Sequence, residues 1–372
     1  MKKIMLFAAI FVLMLLAYIA LHGALYVSIV RFLGIVNPAR KELLLAVFIV
    51  LGLSFFVSAL LSHWKDNAFT RGYYFVSGTW LGFGLNLLLF FALAWLIVWF
   101  SNFFHVAPRE KLLGIIVLWS AIAYSAYGIW NAFTPRVTHL DVSIDNLPKQ
   151  WVGKKIVQIS DVHLGHIYRE SWMSKVASQV NSLDPAVVVI TGDLFDGTDG
   201  NLDSFAGVLK EIKAPGGVYF VTGNHETYLG VDKAYGVIKK TNIVPLRDSL
   251  VDLSGLQFVG IDYPLHGKNR DIAKIISAMP GYNPNVPSIL LIHEPVQIAT
   301  AKKLGISLQL SGHTHKGQLF PFGIISWLVY PRYDFGFKRD GSYAEYTSSG
   351  LGGWGPPMRT QKISEIVEIT LH

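Results

Sequence analysis

The chain has no cysteine. Disulfides and thiolate metal sites are therefore excluded, while the redox compartment stays open. Charge is scarce as well: charged residues make up 15% of the 372 positions, against about 25% in an average soluble protein. The scarcity is local. Met1–Thr134 holds nine basic and three acidic residues, +6 of the chain's net +7. The remainder is close to neutral and lacks the basic field that draws in nucleic acid, so no nucleic-acid partner is expected. There is no internal repeat of the solenoid kind and no low-complexity tract.

No Asp, Glu, Lys or Arg interrupts four apolar runs, Ile4–Val30, Leu43–Leu61, Tyr74–Phe100 and Leu112–Phe133. Each supplies the ~20 residues that a membrane span needs. Ionisable groups at mid-membrane mark transport and proton paths, and their absence argues against a transporter. His22 and Asn86 are the notable polar groups, and both are read as helix–helix hydrogen bonders. The first run is too long for a secretory signal and three more follow it, so it is read as a span. Trp64, Tyr73, Tyr74, Trp99, Tyr127 and Trp130 sit near run ends, where interfacial aromatics belong. The expected organisation is a transmembrane domain over 1–134 and a second domain over 135–372.

Four spans leave both termini on one side. Flanking basic residues, which meet membrane lipid headgroups, divide five against five between the two sides. Lys149, Lys154 and Lys155, just past the last span, tip the balance. The second domain is thus expected on the cytosolic face of a multi-pass protein of the cytoplasmic membrane.

From Arg136 the pattern changes. Short β-rich runs alternate with helical stretches: Val137–Ile144, Ile156–Ser160, Val187–Thr191, Val218–Thr222, Gln257–Ile261, Ile289–His293, Leu308–Ser311, Tyr343–Ser348 and Ile363–Leu371 as strands, Ser171–Leu183 and Leu202–Ile212 as helices. This predicts an α/β domain with buried sheets. A polar cluster follows each of five strands: Asp161-Val162-His163, Gly192-Asp193, Gly223-Asn224-His225-Glu226, His293, and Gly312-His313-Thr314-His315. Ligands collect at the carboxyl ends of strands in α/β folds, so the five clusters should converge. Asp oxygens and His nitrogens suit Zn, Mn or Fe. Glycines before Asp193, Asn224 and His313 permit sharp turns and leave room for a ligand. Singly, each cluster reads as a loop or a core histidine; all five in this order do not.

The five blocks together resemble the calcineurin-like metallophosphoesterases, whose pattern is Asp-x-His, Gly-Asp, Gly-Asn-His-Asp/Glu, His, Gly-His-x-His. The resemblance runs from about Ile156 to the C-terminus. Gly312–Gln318 and Ser349-Gly350-Leu351-Gly352-Gly353-Trp354, with Pro357-Met358-Arg359, point to the bacterial membrane-associated branch. Lys316 departs from it, since a small residue is expected there.

The resemblance implies two mixed β-sheets flanked by helices, an αββα sandwich. It implies two divalent ions (Mn, Fe or Zn), one held by Asp161, His163 and His315 and the other by Asn224, His293 and His313. Asp193 would bridge both, and His225 would act as general acid or transition-state stabiliser. Four substrate contacts are proposed beside these: His166, otherwise a solvent-facing loop histidine; His266, on a polar loop; Lys316; and Arg359, in a Gly- and Pro-rich stretch.

The superfamily includes UDP-2,3-diacylglucosamine hydrolases of lipid A synthesis. Four spans exceed what a soluble substrate requires, so a lipid-linked phosphorylated substrate of that kind is expected. Another lipid or envelope precursor is the alternative. A non-catalytic membrane scaffold is a third reading, disfavoured by the complete ligand set. Leu319–Phe337, rich in Phe, Ile, Trp and Leu, is either core or an apolar lip at the membrane, with Arg332, Lys338 and Arg339 at headgroup level.

Overall fold

A computed structural model describes residues 2–197, 202–265 and 270–372. Four long helices come first: α1 (Lys2–Phe32), α2 (Pro38–Trp64), α3 (Ala68–Phe103) and α4 (Glu110–Phe133). Each extends beyond the charge-free run that announced it and is long and apolar enough to cross a membrane, which marks a membrane protein. The starts of α2 and α3 are set by local chemistry. Asn37 accepts a hydrogen bond from the Arg40 N–H ahead of Pro38, and Asn67 forms a capping box with Thr70.

The chain divides into two compact units, Met1–Gly128 and Ile129–His372. Within the first, Leu25, Phe32, Phe48, Leu87, Phe91 and Ala121 form a buried seam. Polar pairs supplement it. Asn86 donates to Ser125 Oγ at 2.9 Å and Trp80 donates to His22 Nε2 at 3.4 Å, so both anticipated hydrogen bonders tie helices together.

The second unit holds two six-stranded sheets among the described residues. Sheet one runs β1 (Arg136–Val142), β12 (Glu365–Leu371), β2 (Lys155–Ile159), β3 (Val187–Thr191), β4 (Val218–Val221) and β5 (Ile243–Pro245). Sheet two runs β10 (Gly336–Asp340), β11 (Tyr343–Thr347), β9 (Leu308–Ser311), β8 (Ser288–Ile292), β7 (Gln257–Ile261) and β6 (Ser249–Asp252). Strands β2 to β5 are parallel, as are β7, β8, β9 and β11. The antiparallel pairs are β12 with β2, β10 with β11 and β6 with β7.

Strand alternation builds the layers. Val187 and Val189 face the other sheet, meeting Phe258, Ile289, Leu291, Leu308 and Leu310. Val188 and Ile190 face outward into a second core, completed by α5 (Glu170–Ser182), α6 (Phe205–Leu209) and α8 (Val231–Ile238). On the far side α9 (Ile272–Ser277) and α10 (Ile298–Lys303) cover sheet two. The central strands of both sheets are thus buried on both faces, which explains why they read as unbroken apolar runs. The remaining α-helices among the described residues are short: α7 (Asn224–Leu229), directly after β4, and α11 (Gly323–Val329), between β9 and β10.

Candidate metal centre

The loops after β2, β3, β4, β8 and β9 carry the five predicted clusters, and the fold brings them together. Among the described residues, three overlapping groups have ligand atoms close enough to share an ion: Asp161, His163 and His315; His163, Asp193 and His225; and Asp193, His293 and His313. Asn224 joins the last group through its side-chain oxygen. Asp161, His163, Asp193, His293 and His315 form a buried floor, while His225 and His313 are partly exposed at the rim.

Backbone conformation aims these side chains. Asp161, His163, Asp193, His313 and His315 all have φ between 49° and 70°, the left-handed region. Such residues cost roughly 1–3 kcal/mol each, and persist only where neighbours enforce them. Here the β2 and β3 loops zip together, Asp161 N–H to Gly192 O at 3.1 Å and His163 N–H to Asp193 O at 3.0 Å. Gly312 has no space for a side chain, since a Cβ there would strike Ser160 Oγ and the Asp161 carboxylate.

The donor set fits metal cations. His293 Nδ1 lies 2.8 Å from the Thr191 carbonyl, so its proton belongs there and Nε2 is left bare. That nitrogen faces Asn224 Oδ1 and Asp193 Oδ2, both at 3.1 Å. His313 Nε2 faces Glu294 at 3.3 Å, which leaves Nδ1 bare beside Asn224 Oδ1 at 2.9 Å and His293 Nε2 at 3.2 Å. On the other side, His163 Nε2 and His315 Nε2 stand 3.1 Å apart, and the latter is 3.4 Å from Asp161 Oδ1. Lone pairs aimed at lone pairs repel unless a cation lies among them.

Ionisation follows from the same crowding. Burial pushes the Asp193 carboxyl up, but the charge of His293 and its hydrogen bond, with His225 and His163, hold it well below the usual range. Burial lowers His293, yet Asp193 outweighs this and raises it to about 10, a proton standing where a cation would bind. Burial and neighbouring histidines, His293 and His163 respectively, push His313 and His315 down.

The four proposed substrate contacts fare differently. His166 is buried rather than solvent-facing, because its loop folds back on itself, Gly165 N–H to Tyr168 O at 3.1 Å. His266 lies outside the described residues. Lys316 is ion-paired to the buried Asp334, which takes up the charge that set it apart from the family pattern. Arg359 is fully buried and donates to the carbonyls of Ser349, Gly352 and Lys362. A guanidinium so engaged orders the C-terminal loop rather than meeting a phosphate. Its own carbonyl accepts from Asn131 at 3.3 Å, and its Nη1 lies 3.5 Å from His315 Nδ1, so it also positions that ligand.

The sequence reading placed Glu226 in its cluster without a role, and missed Asp196 and Glu294. Glu226 accepts from the N–H groups of Asp193, Phe195 and Gly223, locking the β3 and β4 loops together. Burial, then the nearby Asp193 charge, lifts its carboxyl to about 7. Asp196 stands 3.6 Å from His163 Nδ1, and its carbonyl takes the His225 Nδ1 proton at 2.7 Å. Glu294 receives His313 and the hydroxyls of Tyr263 and Tyr330. Such outer partners fix the tautomer and angle of ligating histidines. Glu226 and Glu294 each directly follow a histidine that was singled out, which was the available signal.

A two-sheet α/β sandwich with Asp, His and Asn converging at its strand ends defines a metal-dependent hydrolytic centre. Comparison with known proteins agrees. A calcineurin-like phosphoesterase family model matches residues 154–317. An uncharacterized metallophosphoesterase of Helicobacter pylori is 31% identical over 277 residues, covering 73% of this chain and 74% of that protein. One of Campylobacter jejuni is 36% identical over 270 residues, covering 70% and 69%. A transmembrane protein with metallophosphoesterase domain from Danio rerio is 34% identical over 282 residues, covering 71% and 63%. The chain belongs to the metallophosphoesterases, metal-binding hydrolases of phosphoester bonds.

Proposed function

We propose that this chain hydrolyses a phosphodiester or pyrophosphate bond of a lipid-linked substrate, at a centre of two divalent ions on the cytosolic face of the cytoplasmic membrane. The observation that carries the two-ion reading is the position of Asp193, which belongs both to the group with His163 and to the group with His293 and His313. Asp161, His163 and His315 would hold one ion, Asn224, His293 and His313 the other, and Asp193 both. When bound, divalent ions there would polarise a phosphate and supply a water-derived nucleophile at neutral pH.

The chain's own residues do the rest. Glu226 and Asp196 hold the loops and rings in register. His225 keeps its Nδ1 proton on the Asp196 carbonyl, so Nε2 is the atom free to hydrogen-bond or protonate a leaving oxygen. Its place at the rim, above a buried floor, suits that role.

Four apolar helices support a membrane-held substrate. UDP-2,3-diacylglucosamine is the specific candidate, since it joins a nucleotide head, a pyrophosphate and acyl chains, and its hydrolysis releases UMP. The test is detergent-solubilised protein with Mn²⁺, given bis-p-nitrophenyl phosphate and UDP-2,3-diacylglucosamine in parallel. Turnover of the first and UMP from the second are expected. Turnover of the first alone moves the substrate to another lipid or envelope precursor. No turnover with Mn, Fe, Zn or Mg returns the chain to the scaffold reading.

A further inference from the structure

The segment after the last ligand pair leaves its apolar side chains outside. In α11 and the turn before it, Phe322, Ile324, Ile325, Trp327, Leu328 and Val329 are between 43% and 63% exposed. Gly323 is the buried residue of the helix, pressed against Gln361. So many adjacent large apolar groups in water mark a surface with a partner.

The segment is held firmly at both ends. At its start, Phe320 N–H bonds Thr360 Oγ1 at 3.0 Å, and the Gln318 carbonyl accepts from Thr360 and Gln361 at 3.0 and 3.1 Å. Gln318 also binds the backbone of Trp354, a further exposed apolar residue at 55%. At its end, Tyr330 packs edge-on against the His313 ring at 5.9 Å, and its hydroxyl reaches Glu294 at 3.3 Å. The exposed helix is thus bracketed in sequence by His315 and Tyr330, both part of the metal centre.

We propose that Phe320–Tyr330 is an interfacial lip seated in the lipid bilayer, bringing the mouth of the metal centre to the level of lipid phosphates. Three observations select a bilayer as the occupant. The same chain carries four helices able to span a membrane, so the lip is tethered near lipid at high effective concentration. Its charge is complementary to anionic headgroups: Leu319–Tyr333 contains no acidic residue, Arg332 is exposed, and Asp334 is buried against Lys316. The exposed Trp327 is an aromatic of the kind that favours the membrane–water boundary. The purpose of the lip rests on the reading of a lipid-linked substrate; the contact itself does not depend on turnover.

The absence of cysteine makes a direct test available, because an introduced thiol is unique. Full-length Ile325→Cys and Leu328→Cys, each carrying a polarity-sensitive fluorophore, are placed in nanodiscs at one chain per disc. Lys213→Cys serves as reference, exposed and ahead of β4, at the opposite end of the sheet from the ligands. The expected result is blue-shifted emission at both lip positions. Nitroxide-bearing acyl chains should quench them severalfold more than the reference, and more strongly when the lipid is anionic. Quenching equal to the Lys213→Cys reference at both positions overturns the proposal. A blue shift that appears only with two chains per disc also overturns it, giving the face to a second copy. Either failure leaves the phosphohydrolase reading standing, and an inert enzyme leaves the quenching intact.

Discussion

Asp193→Ala is expected to yield a protein that retains neither ion and hydrolyses no diester. Among the described residues Asp193 is the one carboxylate common to two ligand groups, so its loss would remove an oxygen from both proposed positions at once. It also leaves His293, raised to about 10 largely by that carboxylate, without its counter-charge. Loss of a single catalytic hydrogen-bond donor costs about 10²–10³ in turnover, and loss of both ions should cost more. The side chain has a structural duty too, accepting the His225 N–H at 2.8 Å. Asp193→Asn, which keeps an acceptor but not the charge, separates the two effects. Metal content by inductively coupled plasma mass spectrometry should fall for both variants. Retention of both ions by Asp193→Asn would contradict the bridging role.

His225→Ala should behave differently, slowing turnover by ~10²–10⁴-fold while both ions stay bound. The imidazole sits at the rim, its ring 4.5 Å from that of His163, with Nδ1 committed to the Asp196 carbonyl. Its backbone N–H is held by Asp193, while its ring hydrogen-bonds the Asp196 carbonyl and not a proposed metal ligand. A fall in kcat without loss of metal is therefore the signature. The competing assignment is real geometry, since His163, Asp193 and His225 also form a group that could share an ion. If the variant loses an ion, His225 is a ligand and not an acid.

Most of the centre was legible because a parallel strand ends where its apolar run ends. Ile156–Ser160, Val187–Thr191 and Leu308–Ser311 were read nearly to the residue, and each delivered its Asp or His to one place. Of the four edge strands only β1 was legible, read as Val137–Ile144 and found at Arg136–Val142. β5, β6 and β10 are short and only partly buried, so they carry no continuous apolar run. The segment Leu202–Ile212, read as a helix, holds only a single turn of 3₁₀ followed by α6.

Arg359 was misread for a physical reason. A Gly- and Pro-rich stretch looks like an exposed loop, but this one is buried by winding its carbonyls around the guanidinium. His166 was misread the same way, because a local chain reversal hides it. The left-handed conformation of Asp161, His163, Asp193, His313 and His315 was not read from the sequence either, although Asp and His are among the non-glycine residues that adopt it most readily. Glu294 and Asp196 act across space on rings from other strands, a relation that spacing along the chain does not encode.

Stepwise metal reconstitution tests the central claim most directly. Chelator-stripped full-length protein in detergent is titrated with Mn²⁺ while bound metal per chain and bis-p-nitrophenyl phosphate hydrolysis are followed on the same sample. The account predicts binding that saturates at two ions per chain, with hydrolysis rising as the second is taken up. Full activity at one ion per chain, or in the stripped protein, would contradict it.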